Sequence, residues 1–402
     1  MPTPRVLISG ASIAGPALAL WLGRQGYDVT VVEKAPALRR GGQAVDFKGA
    51  THLSVLERMG VLEQVRAQRT VPTDTMFVDG RGRELATMPG EFTGGDLEIR
   101  RGDLARILYD ATADDCTYIF GDSVTGLVQT PDGVQVTFER AAPATFDLVV
   151  GADGIHSAVR RLTFGPEENF VTHSGYYYAL VDPAPGARTR PAAENRAAGR
   201  MYNEPGRMAA IDGPGDPAFF VFAAPPLNFD RFDQDQQRAV LAEAYDGAGW
   251  EVPGYLTDVL PTADVHLDSI SRVGMDRYTR GRVALLGDAA YGNTLGGFGS
   301  GLAVVGACVL AGELAAAHGD PGIAFARYQE LMHDYAKIAR KAAPGPFLAP
   351  PTCTRIRLRN WIFKYRPLRS MMMKLGDDYA TDIELPDYPR IGTTGYRADH
   401  NG

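Results

Sequence analysis

The sequence predicts an α/β protein in which a parallel, strand-helix-strand sheet domain is interrupted by a second, mostly antiparallel domain and followed by a C-terminal helix. Three observations carry the prediction. The glycine-rich turn Gly10-Ala11-Ser12-Ile13-Ala14-Gly15 separates an apolar run from a small-residue helix. A later apolar run ends in Gly151-Ala152-Asp153-Gly154, and Arg282-Val283-Ala284-Leu285-Leu286-Gly287-Asp288-Ala289-Ala290 leads through a glycine-rich loop into a wholly apolar helix.

In the first segment, Arg5 to Ser9 reads as a strand, Ala14 to Gln25 as a buried helix ending before Gly26, and Asp28 to Val32 as a second strand that delivers Glu33. This Rossmann-like unit places an acid at the distance expected of a ribose-binding carboxylate. Glycines let the backbone approach a pyrophosphate, while the helix N-terminus presents free N–H groups and positive partial charge. Pro16 fits the first helical turn, where its missing N–H costs nothing. Ser12 replaces the central glycine and either donates its hydroxyl to a phosphate or slightly crowds it. A tight turn packing helix on strand without ligand would use the same glycines, but not the acid. Glu33 rather than arginine favours an unphosphorylated ribose, and the pairing with the Arg282–Ala290 segment favours bound FAD over a loosely held nicotinamide.

The third apolar run, Phe146 to Val150, opens Gly151-Ala152-Asp153-Gly154-Ile155-His156-Ser157-Ala158-Val159-Arg160. With the fingerprint and Gly287-Asp288, in this order and separation, the chain resembles the single-component flavoprotein aromatic hydroxylases typified by para-hydroxybenzoate hydroxylase. Gly41-Gly42-Gln43-Ala44-Val45-Asp46-Phe47-Lys48-Gly49 and Glu98-Ile99-Arg100-Arg101-Gly102-Asp103-Leu104 look most like the tetracycline-inactivating and polyketide-tailoring monooxygenases. The resemblance implies that Asp288 hydrogen-bonds the ribitol of FAD, that Arg101, in an Arg-x-x-Leu-x-x-x-Leu pattern, lies between the cofactor's two halves, and that Asp153 serves both FAD and nicotinamide. A carboxylate suits a polyol, and a permanently charged guanidinium suits a pyrophosphate or a flavin edge. The bland alternatives are a helix N-cap for Asp288 and a surface ion pair for Arg101. The implied cofactor contacts are Gly10, Ser12, Ile13, Ala14, Gly15, Glu33, Lys34, Arg101, Asp153, Gly287, Asp288, Gly297, Gly299, Ser300, Gly301 and Leu302.

The loop after Asp288 departs from the family pattern. Relatives usually carry a histidine at the position of Tyr291, then a proline and Gly-x-Gly-x-Asn-x-Ala. Here the loop is one residue shorter, has no proline, and has Gly301 where asparagine is common. The apolar helix that follows, Leu302 to Leu314, must be buried on most sides, and it is expected to be a core helix rather than a membrane span.

Composition sets bounds. A chain of 402 residues with 22% charged and 45% hydrophobic residues fits a soluble protein of one large and one smaller domain. A net charge of -7 argues against general nucleic-acid binding. Cys116, Cys308 and Cys353 have neither disulfide-framework nor metal-ligand spacing. The N-terminus enters a strand almost at once, so no signal peptide and a cytoplasmic location are expected, with a monomer or weak homodimer as the default.

The cofactor domain is expected to be discontinuous (1–71, 97–171 and 272–343), with 72–96 and 172–271 forming the substrate domain, 344–380 a helical cap and 381–402 a tail. Strand-like runs at Gly175–Val181 and Ala218–Ala224, punctuated by Pro183-Ala184-Pro185-Gly186 and Asp212-Gly213-Pro214-Gly215, suit an antiparallel sheet, which by resemblance roofs the flavin. Asp46, Arg200, Met201, Phe220, Phe222 and Phe298 are the candidate substrate contacts, each equally able to be core or surface. Cys353 to Lys374 is basic and aromatic-rich with no acid. Such a helix can lie on a membrane surface; following a globular core, it is expected to cap the two domains.

The resemblance implies a reaction in which NADPH or NADH reduces FAD, oxygen adds at the flavin C4a position, and the resulting hydroperoxide hydroxylates an electron-rich aromatic ring or enol, with the chemistry carried by the cofactor. The protein must exclude water and stabilise reduced flavin. Molecular oxygen and a planar, polyketide-like or antibiotic molecule are the implied partners. Three rivals share the fold. A halogenase would need a Trp-x-Trp-x-Ile-Pro element, and Trp21, Trp250 and Trp361 are isolated. A reductase would transfer no oxygen, and a flavin-containing antibiotic-binding protein would consume no NADPH.

Overall fold

The computed structural model describes residues 3–39, 43–71, 73–92, 95–184, 198–211, 217–297, 299–337, 342–365, 367–368 and 385–388. The chain opens with β1 (Arg5–Ser9), α1 (Ala14–Arg24) and β2 (Asp28–Glu33), then β3 (Ala44–Phe47), α2 (Ala50–Met59) and α3 (Leu62–Ala67). After β4 (Asp74–Val78) and β5 (Glu84–Met88) come β6 (Leu97–Arg100), α4 (Arg101–Asp110) and β7 (Thr117–Phe120). A small meander, β8 (Val124–Thr130), β9 (Gly133–Phe138) and β10 (Ala144–Phe146), leads into β11 (Leu148–Gly151) and α5 (Ala158–Phe164). Next follow β12 (Val171–Asp182), β13 (Ala198–Glu204), β14 (Arg207–Ala210), β15 (Ala218–Ala223), α6 (Gln234–Ala244), α7 (Val252–Asp258) and β16 (Asp264–Val273). The C-terminal part holds β17 (Thr279–Arg280), β18 (Val283–Leu285), α8 (Asp288–Tyr291), α9 (Gly299–Ala316), α10 (Pro321–Tyr335), α11 (Pro344–Leu348) and α12 (Cys353–Lys364).

Two large sheets divide the work. The first, ordered β17-β18-β11-β1-β2-β7, is parallel except for β17 against β18. Its central strands are apolar on both faces, as a sheet covered by helices on both sides requires; Val6, Leu7 and Ile8 are fully buried, each contributing about 1.5 to 3 kcal/mol relative to exposure. α9 crosses its core between α1 and α10. That helix has 18 residues, enough by length and composition to cross a bilayer, yet 78% of it is buried inside the protein. It is the core helix the sequence predicted.

The second sheet is ordered β16-β12-β15-β14-β13-β4-β5. Residues 74–88 thus join those of 171–273. All neighbours are antiparallel except β13 beside β4. One face packs against α6 and α7 through Tyr177, Ala179, Phe220, Phe222, Leu241 and Val252. The other carries Tyr176, Tyr178, Met201, Met208, Val221 and Ile270, and meets Leu295 from the loop before α9. This second face looks toward the first sheet: Asp268 on β16 is hydrogen-bonded to His156 at 3.0 Å, and the charges of Arg101 and Asp288 act on the Tyr178 hydroxyl.

Residue parity along these strands revises three of the candidate substrate contacts. Phe220 and Phe222 alternate with Val221 and point at α6 and α7, where Phe220 packs on Tyr245 and Tyr255. Arg200 alternates with Met201, makes a bidentate pair with Glu251 at 2.7 and 2.8 Å, and lies over the Trp250 ring. All three belong to the far face of the sheet, whereas Met201 is buried on the near face. Phe298 lies outside the described residues.

Candidate cofactor cleft and its roof

The glycine fingerprint is held by contacts that admit no side chain. Gly10 has φ 111° and donates its N–H to Val32 at 2.7 Å; a Cβ there would stand 2.3 Å from the Ala152 carbonyl oxygen. At Gly15 a Cβ would come within 1.9 Å of the Gly10 carbonyl oxygen. The strand ends and the start of α1 are therefore pressed together, and no side chain caps the first turn of α1. Its free N–H groups and positive end remain available to an anion.

Glu33 closes this end of the cleft. One carboxylate oxygen accepts the Ala11 N–H and the other the Ala35 N–H, both at 2.8 Å. The carboxylate is thus fixed in direction, with lone pairs left for hydroxyl donors. Lys34, next along, places its ammonium 3.9 Å from the centre of the Phe232 ring.

Ser12, where the fingerprint usually has glycine, has a definite partner. Its Oγ accepts from Arg101 Nε at 3.3 Å and from the terminal guanidinium nitrogen at 3.1 Å. Arg101 opens α4, directly after β6, and so reaches across the cleft to the α1 N-terminus.

A third convergence lies opposite. Gly287 holds φ 62°, a conformation side chains rarely adopt, and a Cβ there would lie tightly against those of Ala14 and Ala303, 3.1 and 3.4 Å away. The beginnings of α1 and α9 therefore meet at Gly287. Asp288 points its carboxylate toward Gly299, the first residue of α9. Burial pushes its pKa up, with Arg101 opposing. A buried acid with a single arginine as its counter-charge suits a polyol partner.

The shortened loop is tied to the roof. Val273 donates its N–H to Gly292 at 2.8 Å and Thr294 to Ser271 at 3.0 Å. Leu295 takes φ 59°, uncommon for a branched residue, and Gly297 takes φ 86° with open space around it. Tyr291, at the usual histidine position, is buried edge-on against Tyr278, with ring centres 5.5 Å apart. Gly301 has a specific reason to lack a side chain: a Cβ there would sit 2.2 Å from the ring of His52. His52 Nδ1 accepts the Lys48 N–H at 3.1 Å, which leaves the ring proton on Nε2, 3.0 Å from the Tyr335 hydroxyl. His52 occupies the room an asparagine at 301 would need. Ser300 follows Gly299 in the same first turn, and Leu302, like Ile13 beside α1, is buried beneath the cleft.

Asp153 is used by its own loop. It accepts the Ser157 hydroxyl at 2.5 Å and the Ala158 and Val159 N–H groups at 2.8 and 3.2 Å, capping α5. Burial raises its pKa against those bonds. Asp46, on β3 opposite Glu98, accepts the Gly95 N–H at 3.0 Å. Burial raises it to about 6, the Gly95 bond opposing and the Glu98 charge adding.

Two polar clusters, one within the roof and one joining it to the Asp-Gly loop, lie outside the candidates read from the sequence. Tyr178 Oη lies 3.3 Å from His266 Nε2. Burial pushes the Tyr178 hydroxyl above its usual range and lowers His266 to about 4, keeping both neutral. His156, in the Asp-Gly loop, bridges Glu167 at 2.8 Å and Asp268 at 3.0 Å. Burial disfavours its charge, but the two carboxylates outweigh that and raise it to about 9. The Tyr178–His266 and His156–Asp268 contacts join residues 88 and 112 positions apart, beyond the reach of any local pattern.

This cleft fits FAD. The backbone approaches closely where a pyrophosphate needs it, an uncapped helix end and a guanidinium face the same space, and acids stand at either end. The comparisons agree. The model of the FAD binding domain family matches residues 3–337. An uncharacterized protein of Mycobacterium tuberculosis is 41% identical over 345 residues, spanning 83% of this chain and 90% of the relative. A flavin-dependent monooxygenase of Legionella longbeachae is 35% identical over 348 residues, 84% of this chain and 87% of its own. The crystal structure of the tetracycline destructase Tet(55) superposes with a TM-score of 0.77 at 33% identity, covering 96% of this chain and 100% of the other. The fold, the cleft and these relatives agree that the chain belongs to the FAD-binding family of flavin-dependent monooxygenases.

Proposed function

We propose that the protein uses NADPH or NADH and molecular oxygen to place one oxygen atom on an apolar aromatic or enolic small molecule held under the second sheet. On this reading, residues 1–71, 97–171 and 272–343 hold FAD, and 72–96 and 172–271 hold the substrate. When bound, FAD supplies the redox chemistry, taking electrons from the nicotinamide and activating oxygen.

The chain's own residues do the positioning. Glu33 accepts ribose hydroxyls, the first turn of α1 and Arg101 neutralise the pyrophosphate, and Asp288 accepts from the ribitol. The N-terminus of α9 turns its positive end toward the flavin ring, which favours negative charge there. The observation that carries the substrate reading is the composition of the near face. Tyr176, Met201 and Val221 form a buried apolar cluster, joined by the partly buried Leu180 and Phe219 at its margin. Tyr178 and His266 are its neutral hydrogen-bonding pair. Such a wall accepts a flat apolar molecule and orients one oxygen of it. The name of Tet(55) makes tetracyclines the first compounds to try, with phenolic polyketides beside them.

The test is anaerobic reduction of the purified flavoprotein by NADPH or NADH, followed by visible absorbance across that panel. Bleaching accelerated by one compound, and label from oxygen gas in its product, is the expected result. Bleaching without label in any product would make the protein a reductase. Absence of bleaching by either nicotinamide would leave a binding protein.

A further inference from the structure

The C-terminal helix α12 has two faces of opposite character. Inward, Arg359, Asn360 and Phe363 are buried. Phe363 packs on Phe77, Phe92 and Phe347, with ring centres 5.8, 5.0 and 6.4 Å away. Arg359 lies 4.1 Å from the centre of the Phe77 ring and donates to Asn203 Oδ1 at 2.6 Å and to the Phe347 carbonyl at 2.9 Å. A buried, multiply bonded arginine locks the helix against the second sheet. The sequence suggests a cap on both domains; these contacts of α12 are with the second sheet and α11.

Outward, the helix presents an apolar stripe. Leu358, Trp361 and Tyr365 are 55%, 50% and 48% exposed, at the i, i+3, i+7 spacing that aligns side chains on one face. The rings of Trp361 and Tyr365 lie 5.2 Å apart. Arg355, Arg357 and Lys364 are exposed around them, and the helix holds no acid. In a chain of net charge -7 this is an island of positive charge. Since the inward face already anchors the helix, covering the stripe does not compete with folding.

We infer that the outer face of α12 docks on an anionic lipid surface. Tryptophan and tyrosine settle at the level of the head groups, an aliphatic side chain enters the acyl boundary, and lysine and arginine pair with lipid phosphates. The charge pattern selects this occupant: a flat, negatively charged surface meets the apolar stripe and its basic flanks together, whereas a second copy would bring like charges face to face. Phe77 and Phe363 also belong to the cluster that contains Tyr176 and Met201. A docked α12 therefore sets the near face of the roof close to lipid, where an apolar substrate accumulates. This last link rests on the proposed function; the docking does not.

The experiment is flotation of the full-length, FAD-loaded protein with vesicles of phosphatidylcholine containing roughly one quarter phosphatidylglycerol, against vesicles of phosphatidylcholine alone. The anionic vesicles are expected to recover at least about tenfold more protein, an excess abolished by high salt. The paired substitution Leu358→Ser and Trp361→Ser removes recovery by about tenfold while leaving flavin absorbance and melting temperature unchanged, because both side chains are exposed. Arg357→Glu with Lys364→Glu does the same. Equal recovery from both vesicle types, or binding untouched by either pair of substitutions, overturns the inference. So does a lipid-free dimer, seen by light scattering, that the Leu358 and Trp361 substitutions dissolve, since that assigns the face to a second copy. Nicotinamide-driven bleaching in the same preparation reads the proposed activity separately, so failure of one is distinguishable from failure of the other.

Discussion

The cofactor cleft and the roof above it are built on different principles. In the cleft, backbone geometry decides: Gly10 and Gly15 sit where a Cβ would collide with backbone, Gly287 holds a left-handed φ in a tight gap, and Glu33 and Arg101 are already fixed by hydrogen bonds to the chain. In the roof, strand parity decides, and the two faces of one sheet have unrelated duties. A change in the cleft should therefore act through the scaffold or the cofactor, and a change in the roof according to which face it is on.

The largest expected effect is at the scaffold. Gly10→Val must accommodate both φ 111° and a Cβ 2.3 Å from the Ala152 oxygen. Backbone strain and overpacking together cost roughly 2 to 6 kcal/mol, and thermal unfolding should show a protein barely folded or not folded. A normal melting temperature would mean that the junction of β1, α1 and β11 yields more than a packed core does. Asp288→Ala should be gentler on the fold and severe on the cofactor. Losing a hydrogen bond from a charged group removes about 1.5 to 3 kcal/mol of affinity, roughly tenfold to a hundredfold, so the folded variant should purify largely free of FAD. Full flavin content would remove Asp288 from the site.

The link between cleft and roof gives a smaller, pH-dependent effect. His156 is raised from its ordinary 6.5 to about 9, so its contribution is complete below pH 6.5 and fades as pH rises through about 9. Its partners Asp268 and Glu167 are held below the usual carboxylate range, so the same bridge is lost from the acid side as they protonate. Between these limits it contributes on the order of 2 kcal/mol, discounted for solvent access. Denaturation of wild type and His156→Asn should differ at pH 7 and converge toward pH 10. A difference that persists unchanged at high pH would show that packing, not charge, joins the two sheets.

How much of this was legible in the sequence follows the same division. The strand-helix-strand unit was readable because Gly10, Ala14 and Glu33 lie within one local segment whose periodicity changes at the right places. The convergence of Ala14 with Gly287 and Ala303 joins two distant segments, and only the order of motifs pointed to it. Phe220 and Phe222 on β15, and Arg200 on β13, are named as candidates only because their strands belong to the roof; β15, Ala-Phe-Phe-Val-Phe-Ala, is buried on both sides, so its sequence does not say which face each side chain takes. With no polar-apolar contrast, alternation carries no direction. Tyr178 and His266 stayed hidden because their contact depends on the register that pairs Leu180 with His266 and Tyr178 with Asp268. Gly301 was noticed as a departure, but its cause, the ring of His52, lies some 250 residues away in sequence.

The two faces of the roof allow the finest test. Tyr178→Phe removes one hydroxyl from the near face and keeps the ring. His266 loses that partner, at a cost of about 1 kcal/mol, which leaves the protein folded and its FAD in place. Phe222→Leu on the far face opens a small void against Tyr177 and Tyr245, a comparable or slightly larger loss of roughly 1 to 2 kcal/mol. The stability changes nearly match, so activity distinguishes the faces. For whichever compound accelerates flavin reduction, Tyr178→Phe should weaken its binding or slow the accelerated phase about tenfold, as expected when one oriented hydrogen bond is lost, while Phe222→Leu leaves both near wild type. If the two variants respond alike, the near face is core like the far one, and the substrate lies elsewhere along the cleft.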